Sequence, residues 1–137
     1  MIKDIEIKIN VKMSSDFLLV EDIRNDYLAG KETHWRYRVK ESLIKPKQQG
    51  LYFLYDNDKN VIYIGKAKDI RQRIHQHLIS HISGYLDGNE VDKILKKREK
   101  TKFVSYSLVD DYSMIDFMET GLINKYQPIL NIQFKNI

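Results

Sequence analysis

Residues 50–65 read Gly50-Leu51-Tyr52-Phe53-Leu54-Tyr55-Asp56-Asn57-Asp58-Lys59-Asn60-Val61-Ile62-Tyr63-Ile64-Gly65. Two runs rich in β-branched and aromatic residues, 51–55 and 61–64, flank five residues that are common in turns. The pattern predicts a β-hairpin. Each arm also carries a tyrosine two positions from a glycine, so the hairpin brings two phenol groups into one region.

The segment after the hairpin has the pattern of an amphipathic helix. Asp69 can accept a hydrogen bond from the first turn as an N-cap. At 100° per residue, one apolar stripe is expected to contain Ile70, Ile74 and Leu78. Arg73 and His77 are four residues apart and border this stripe. Residues in such a position ordinarily form a half-buried flank of the helix.

A second helix is predicted after Asn89, which is its expected N-cap. Its core face is predicted to consist of Val91, Ile94 and Leu95. The opposite, solvated face is predicted to consist of Lys93, Lys96, Lys97 and Lys100. Such a basic face can neutralise backbone phosphates, although most basic helix faces are simply solvated.

The C-terminal third reads as a strand followed by a helix. The strand is predicted over Phe103–Val109. Ser113 with Asp116 three residues on resembles a capping box, which would open an apolar helix over Met114–Tyr126 that Pro128 stops. From residue 50 the predicted order is therefore β-β-α-α-β-α.

The first 49 residues are predicted to form an extension packed on a core of residues 50–137. The alternation over Ile5–Val11 is typical of a strand with one buried face. A helix is predicted over Phe17–Leu28, capped by the Ser14-Ser15-Asp16 stretch and stopped at Gly30. Residues 31–49 fit either a strand or a helix. We expect this extension to provide specificity or a dimer contact.

Composition excludes several classes of protein. The 137 residues contain no cysteine and no apolar run of the roughly 20 residues that a membrane span needs. Disulfide scaffolds, thiolate nucleophiles and Cys-ligated metals are excluded, and we expect an intracellular protein without a membrane segment. The formal charge is +4, with 11 basic and 7 acidic residues in 50–109. The basic surplus therefore lies in the hairpin and the helices after it.

One set of residue types would suit phosphodiester hydrolysis. Glu119 lies in a helix that is apolar over most of its circumference and has only Asp116 and Lys125 as other charged members, and a partly buried carboxylate there needs a partner or a cation. A carboxylate for a hard cation, a guanidinium for the phosphate, and a tyrosine, lysine or histidine near the attacking water form such a set. Each of these residues, taken singly, also has an ordinary structural explanation.

Together these residues resemble the GIY-YIG endonuclease family, named for two tripeptides on a hairpin. The tripeptides here are Gly50-Leu51-Tyr52 and Tyr63-Ile64-Gly65, ten residues apart. The resemblance continues through the stretch Lys66-Ala67-Lys68-Asp69-Ile70-Arg71-Gln72-Arg73, then Glu119, then Tyr126-Gln127-Pro128-Ile129-Leu130-Asn131. It covers about residues 50–131.

The resemblance implies an α/β domain of the α+β type, with a small three-stranded antiparallel sheet flanked by helices. It also implies a small stand-alone endonuclease that cuts DNA with one divalent metal, Mg²⁺ or Mn²⁺. The residues that match catalytic positions of the family are Tyr52, Tyr63, Lys66, Arg73, His77, Glu119 and Asn131. Among them Glu119 is the expected metal ligand and Arg73 the expected stabiliser of the scissile phosphate. The expected nucleic-acid contacts are Lys68, Arg71, Lys93, Lys96, Lys97 and Lys100.

Several questions stay open at this level. Either a tyrosine or His77 could take the proton from water, and Lys66 together with the metal would have to lower the pKa of a tyrosine base. One active site cuts one strand at a time, so double-strand cleavage would need a homodimer. A non-catalytic nucleic-acid-binding or protein-interaction module that keeps the fold is the alternative. The nuclease reading predicts a cytoplasmic protein that associates with the nucleoid when it acts.

Overall fold

The computed structural model describes residues 12–32 and 43–135. The predicted strand Ile5–Val11 and most of the undecided stretch 31–49 lie outside these ranges. The elements in chain order are β1 (Leu18–Leu19), α1 (Val20–Glu32), β2 (Gly50–Tyr55), β3 (Val61–Ala67), α2 (Ile70–Ile74), a π-helical segment (His75–Ile79), α3 (Gly88–Lys100), β4 (Phe103–Leu108), α4 (Tyr112–Tyr126) and α5 (Ile129–Lys135).

The α+β class is confirmed, but the sheet has four antiparallel strands in the order β1-β4-β2-β3 rather than three. The additional strand pairs Leu18 with Val104 and Leu19 with Phe103. Just before it, the Ser14 and Ser15 hydroxyls accept the Leu108 and Tyr106 amides at 2.8 and 3.0 Å. These contacts extend the chain along β4, so the predicted helix begins at Val20 instead of Phe17 and also runs past Gly30.

The predicted hairpin is confirmed and is closed by Asp56, whose Oδ1 accepts the Asp58 and Asn60 amides at 3.0 and 2.9 Å. Gly50, at φ +154°, starts the first arm where the chain passes close to β4. A Cβ at Gly50 would lie 2.0 Å from the Ser107 carbonyl oxygen. No other residue type fits this crossing without moving the backbone.

The sheet has a hydrophobic layer on each face. On one face α1, α2, the π-helical segment and α5 bury side chains that include Ile23, Ile70, Ile74, Leu78 and Leu130. On the other face α4 packs Ile115 and Leu122 against Leu51, Phe53 and Ile64. Strand β3 lies at the edge of this sheet, in contact with both α4 and α5. The elements that carry the predicted site residues therefore meet around one edge strand.

Two helix starts differ from the sequence prediction. Asp87, not Asn89, caps α3 by accepting the Glu90 amide at 2.8 Å. Asp111 caps α4 by accepting both the amide and the hydroxyl of Ser113, so Ser113 lies inside the helix instead of capping it. In both cases an aspartate two residues upstream replaces the predicted cap, because a carboxylate also complements the positive helix N-terminus.

The buried face of α3 is rotated from the predicted one. Leu95 is 50% exposed, whereas Lys97 is only 3% exposed and packs inside with Ile94. Lys97 is therefore not part of a solvated basic face. The reason is the spacing: three residues after Ile94 lies Lys97, which is on the same side of the helix at 100° per residue.

Helix α4 ends at Tyr126, before Pro128, as predicted, and a further helix, α5, follows Pro128 directly. The Pro128 carbonyl accepts the Ile132 amide at 3.2 Å, so this proline starts a helix, a position that suits its fixed φ angle. Asn131 is consequently a helix residue, and not part of a turn. Among residues 12–32 and 43–135, no helix is long and apolar enough to cross a membrane.

Candidate active site

The two motif tyrosines lie together on one face of the hairpin. Tyr52 pairs across the strands with Gly65, and Tyr63 is the diagonal neighbour two residues away. Their ring centroids are 6.0 Å apart. A Cβ on Gly65 would lie 2.4 Å from the Tyr52 ring, so this glycine makes the space that Tyr52 occupies. The spacing of the motif thus has a direct packing reason.

The two phenols differ in how readily they ionise. Burial raises the pKa of Tyr52 well above its usual value, and the neighbouring Tyr63 adds to this. Burial also raises the pKa of Tyr63, but its hydrogen bond with Tyr52 and the charge of Arg73 oppose that rise, while Glu119 adds to it. Tyr52 therefore keeps its proton and donates, and Tyr63 is the better proton acceptor of the two.

Arg73 lies between two cavities. One, of about 370 Å³, is bordered by Tyr63, Arg73 and His77 together with side chains of α3 and α5. The other, of about 450 Å³, is bordered by Arg73 with Lys66, Lys68 and Tyr112. Arg73 is exposed, so its guanidinium is accessible to an anion that enters from either side.

His77 is held in the π-helical segment by α3. The Arg98 guanidinium donates to the backbone carbonyls of Gln76, His77 and Ser80 at 3.1, 3.2 and 2.5 Å. Lys97 Nζ lies 2.8 Å from His77 Nδ1. Burial and the charges of Lys97, Arg73 and Arg98 lower the pKa of His77 to about 3. The imidazole is therefore neutral at physiological pH.

Glu119 is a half-buried carboxylate on α4. Among residues 12–32 and 43–135 it has no hydrogen bond or ion pair. Burial raises its pKa, Lys66 lowers it, and Asp116 raises it. Lys66 itself forms an ion pair with Asp116. The ammonium therefore acts on the two α4 carboxylates, and it is not among the main charges that shift the pKa of either tyrosine.

These residues fit one weakly held divalent cation. A half-buried carboxylate with no ion-pair partner among the described residues is the kind of group that a cation stabilises. No group of three or more acidic, His or Cys side chains that could form a full metal cage occurs in the described part of the chain. An ion at Glu119 would thus keep most of its water ligands, as Mg²⁺ prefers.

Asn131 fastens α5 to the open edge of the sheet. Its side-chain oxygen accepts the Ile64 amide at 2.8 Å, and its side-chain nitrogen donates to the Ile64 carbonyl at 2.9 Å. Edge strands leave such backbone groups unpaired, and the amide of Asn131 takes the place of a further strand. It thereby fixes the backbone next to Tyr63, which makes Asn131 a positioning residue.

Replacing Asn131 with alanine is expected to lower the free energy of unfolding by about 2 kcal/mol, since two hydrogen bonds of about 1 kcal/mol each are lost. Urea unfolding measures this. Asn124→Ala, an exposed change on α4, is the matched control and should cost less than about 0.5 kcal/mol. Equal stability of the two variants would contradict the bridging role.

Histidine burial predicts acid sensitivity. Burial and nearby Arg71 lower the pKa of His75 to about 4, and that of His77 is about 3. The unfolded chain binds these protons near pH 6.5, so stability is fully present above that pH and is lost as the pH falls towards 4. His75→Gln should weaken this pH dependence by about 1–2 kcal/mol in unfolding experiments at pH 7 and pH 4. Exposed His81→Gln should leave it unchanged.

The predicted nucleic-acid contacts lie in different surroundings. Lys68 is exposed beside the Tyr112 ring, and Lys100 is exposed at the end of α3. Lys93 borders the 370 Å³ cavity, and Lys96 is half-buried on α3. Arg71 instead borders a third cavity together with Tyr27 and His75, and its buried Nε has no hydrogen-bond partner within the part of the chain that the structure describes.

Sequence reasoning missed three side chains at the site. Phe134 of α5 packs on Tyr63, with ring centroids 5.9 Å apart. Arg98 holds the π-helical segment through its hydrogen bonds. Tyr112 borders the 450 Å³ cavity together with Lys66. For Arg98 a signal was available, because its four-residue spacing from Ile94 places it on the inner face of α3. Phe134 has no such signal, since its helix was not predicted.

Comparison with known proteins agrees with this arrangement. UvrABC system protein C of Rickettsia rickettsii is 32% identical over 99 residues, which are 72% of this chain and 14% of that protein. The protein of the same name from Dictyoglomus thermophilum is 34% identical over 91 residues, which are 66% of this chain and 14% of that protein. The chain thus spans about one seventh of the length of the curated relatives it matches.

Solved structures show the same fold. The GIY-YIG N-terminal endonuclease domain of UvrC from Thermotoga maritima, bound to magnesium as its catalytic divalent cation, matches with a TM-score of 0.51 at 24% identity. The match covers 64% of this chain and 86% of that domain. Residues 48–133 match the family model of the GIY-YIG catalytic domain, which confirms the resemblance seen in the two tripeptides. The chain belongs to the GIY-YIG family.

Proposed function

We propose that this chain is a DNA endonuclease that hydrolyses phosphodiester bonds with a single divalent cation, Mg²⁺ or in its place Mn²⁺. The observation that carries the proposal is the meeting of two unlike groups around edge strand β3. One is the tyrosine pair with Arg73, and the other is the carboxylate of Glu119, which raises the pKa of both tyrosines by its charge. Membership of the GIY-YIG family supports the same chemistry.

The cation has one place to bind in this proposal. Glu119 would hold it, and the ion would supply Lewis-acid stabilisation of charge on the phosphate oxygens. Lys66 forms an ion pair with Asp116, so the second carboxylate beside the site already has a cationic partner. Lys66 thus acts on the carboxylates of α4, and in this proposal it does not lower the pKa of either tyrosine.

Tyr63 is the proposed acceptor of the proton from the attacking water. A phenol is a poor base near neutral pH, and each unit by which its pKa falls requires about 1.4 kcal/mol. Tyr52 donates a hydrogen bond to Tyr63, Arg73 contributes positive charge, and neutralisation of Glu119 would remove a negative one. All three effects favour the ionised form of Tyr63. Because only this form can take the proton from water, activity should rise with pH.

Arg73 is the proposed stabiliser of the scissile phosphate. Its exposed guanidinium lies between the two cavities, so a phosphate bound there would contact it directly. Charge that develops on the pentavalent phosphorus would strengthen that contact in the transition state. On either side of Arg73, the cavities offer Lys93 and Lys68 to the neighbouring backbone phosphates.

The experiment is incubation of the purified chain with supercoiled plasmid in Mg²⁺, in Mn²⁺ and in EDTA. The proposal requires conversion to open circles with either metal and none with EDTA. A monomer is expected to give open circles first, whereas linear product formed at the same rate would indicate the predicted homodimer. Plasmid binding without any cleavage in either metal would favour the non-catalytic module instead.

A further inference from the structure

Lys97 is a buried cation that the proposed hydrolysis does not use. It is 3% exposed, although lysine is among the residues that are least often buried. Its Nζ lies 2.8 Å from His77 Nδ1 and 4.1 Å from the centroid of the Tyr63 ring. A second ring, that of Phe134, lies 5.7 Å away. The ammonium is therefore placed between an imidazole and two aromatic faces.

This surrounding favours the ammonium as donor and the imidazole as acceptor. Aromatic faces attract a cation, and a lysine ammonium can donate hydrogen bonds but cannot accept them. Two positive charges at 2.8 Å would repel strongly, so His77 cannot be protonated while Lys97 is. A neutral imidazole that accepts at Nδ1 carries its proton on Nε2.

We propose that Lys97 is a positioning residue that fixes His77 as the neutral Nε2–H tautomer, a hydrogen-bond donor beside the 370 Å³ cavity that Arg73 also borders. In this form His77 has no basic nitrogen left to take a proton from water, because Nδ1 is occupied by the ammonium. The open choice between histidine and tyrosine as the general base is then resolved in favour of Tyr63. This inference rests on the proposed hydrolytic function.

Charged groups on the neighbouring elements affect the protonation of Lys97 and His77. Burial, together with the charges of Arg73 and Lys93, lowers the pKa of Lys97 to about 7, and Glu90 opposes this shift. Arg98 faces His77 from the same helix as Lys97, and Lys135 of α5 borders the same cavity. At pH 6 the balance leaves Lys97 protonated and His77 neutral.

The test uses the full chain labelled with ¹⁵N and long-range histidine NMR spectra at pH 6, which distinguish the two imidazole tautomers. The chain has four histidines, so the His77 signal is identified as the one missing from the His77→Gln variant. The proposal requires the Nε2–H form in the native chain. An Nδ1–H form or an imidazolium at pH 6 would overturn it.

Lys97→Met tests the cause. It removes the charge but keeps most of the stem, and it should raise the pKa of His77 by at least about one unit. Plasmid cleavage should fall about tenfold or more, because a less fixed hydrogen-bond donor is misplaced. Lys102→Met removes the same charge at an exposed position and should change neither quantity.

An unchanged His77 pKa in Lys97→Met would overturn the proposal whatever happens to activity. The spectra do not depend on cleavage, so failure of the proposed function has a different signature. In that case the native chain would not cut plasmid in Mg²⁺ or Mn²⁺.

Discussion

The Glu119→Gln variant is expected to lose Mg²⁺-dependent plasmid cleavage by about 10³-fold or more. A single bound cation contributes several kcal/mol of transition-state stabilisation, and about 4 kcal/mol corresponds to that factor. The amide has the shape of the carboxylate but not its charge, so it cannot hold the ion. The measurement is the initial rate of supercoiled plasmid loss at saturating Mg²⁺.

The fold of this variant should be intact. Burial already raises the pKa of Glu119, so removal of its charge does not weaken the native state. Urea unfolding should give an unchanged or slightly higher free energy, and DNA affinity should not fall. Glu99→Gln, an exposed change on α3, is the matched control with native activity. Native cleavage by the Glu119 variant would show that the cation, if required, binds elsewhere.

Replacing Arg73 with alanine is expected to lower kcat by about 10²–10³-fold, the usual effect of removing one transition-state donor. The dissociation constant for DNA should change by less than about threefold, because one phosphate contact among several contributes little to ground-state binding. Single-turnover cleavage and fluorescence anisotropy measure the two quantities separately.

Arg24→Ala, at a partly exposed arginine of α1 that forms an ion pair with Glu21, is the matched control for loss of one positive charge. Its kcat and its dissociation constant for DNA should be native. Equal losses in affinity and turnover for Arg73→Ala would assign Arg73 to general phosphate binding. A loss confined to turnover would support a contact that strengthens in the transition state.

The hairpin and its tyrosines could be predicted from sequence because their signals are local. Two β-rich runs, one with Tyr52 and one with Tyr63, are separated by a turn that begins Asp-Asn. This pattern indicates a two-stranded unit that places both phenols on one face. The apolar stripe of Ile70, Ile74 and Leu78 was equally local, and all three are buried. These elements carry most of the candidate site residues, which is why those positions can be predicted from local patterns in the sequence.

The remaining features depend on contacts between residues that are distant in sequence. Strand β1 has only two residues and forms because β4 is available to pair with it. Lys97 was assigned to solvent because lysine is usually exposed, and only the approach of His77 and Tyr63 shows why it is inside. Pro128 ends α4 as predicted, but its sequence signal does not show that α5 starts at the same point and brings Asn131 to β3.

The central claim is hydrolysis of DNA by one cation held by one carboxylate. The most direct measurement is the rate of plasmid nicking by the native chain as Mg²⁺ is titrated from an EDTA-treated, metal-free start. We expect no cleavage without metal and a hyperbolic rise of the rate with a Hill coefficient near 1. Cleavage that persists in EDTA, or a Hill coefficient near 2, would contradict it.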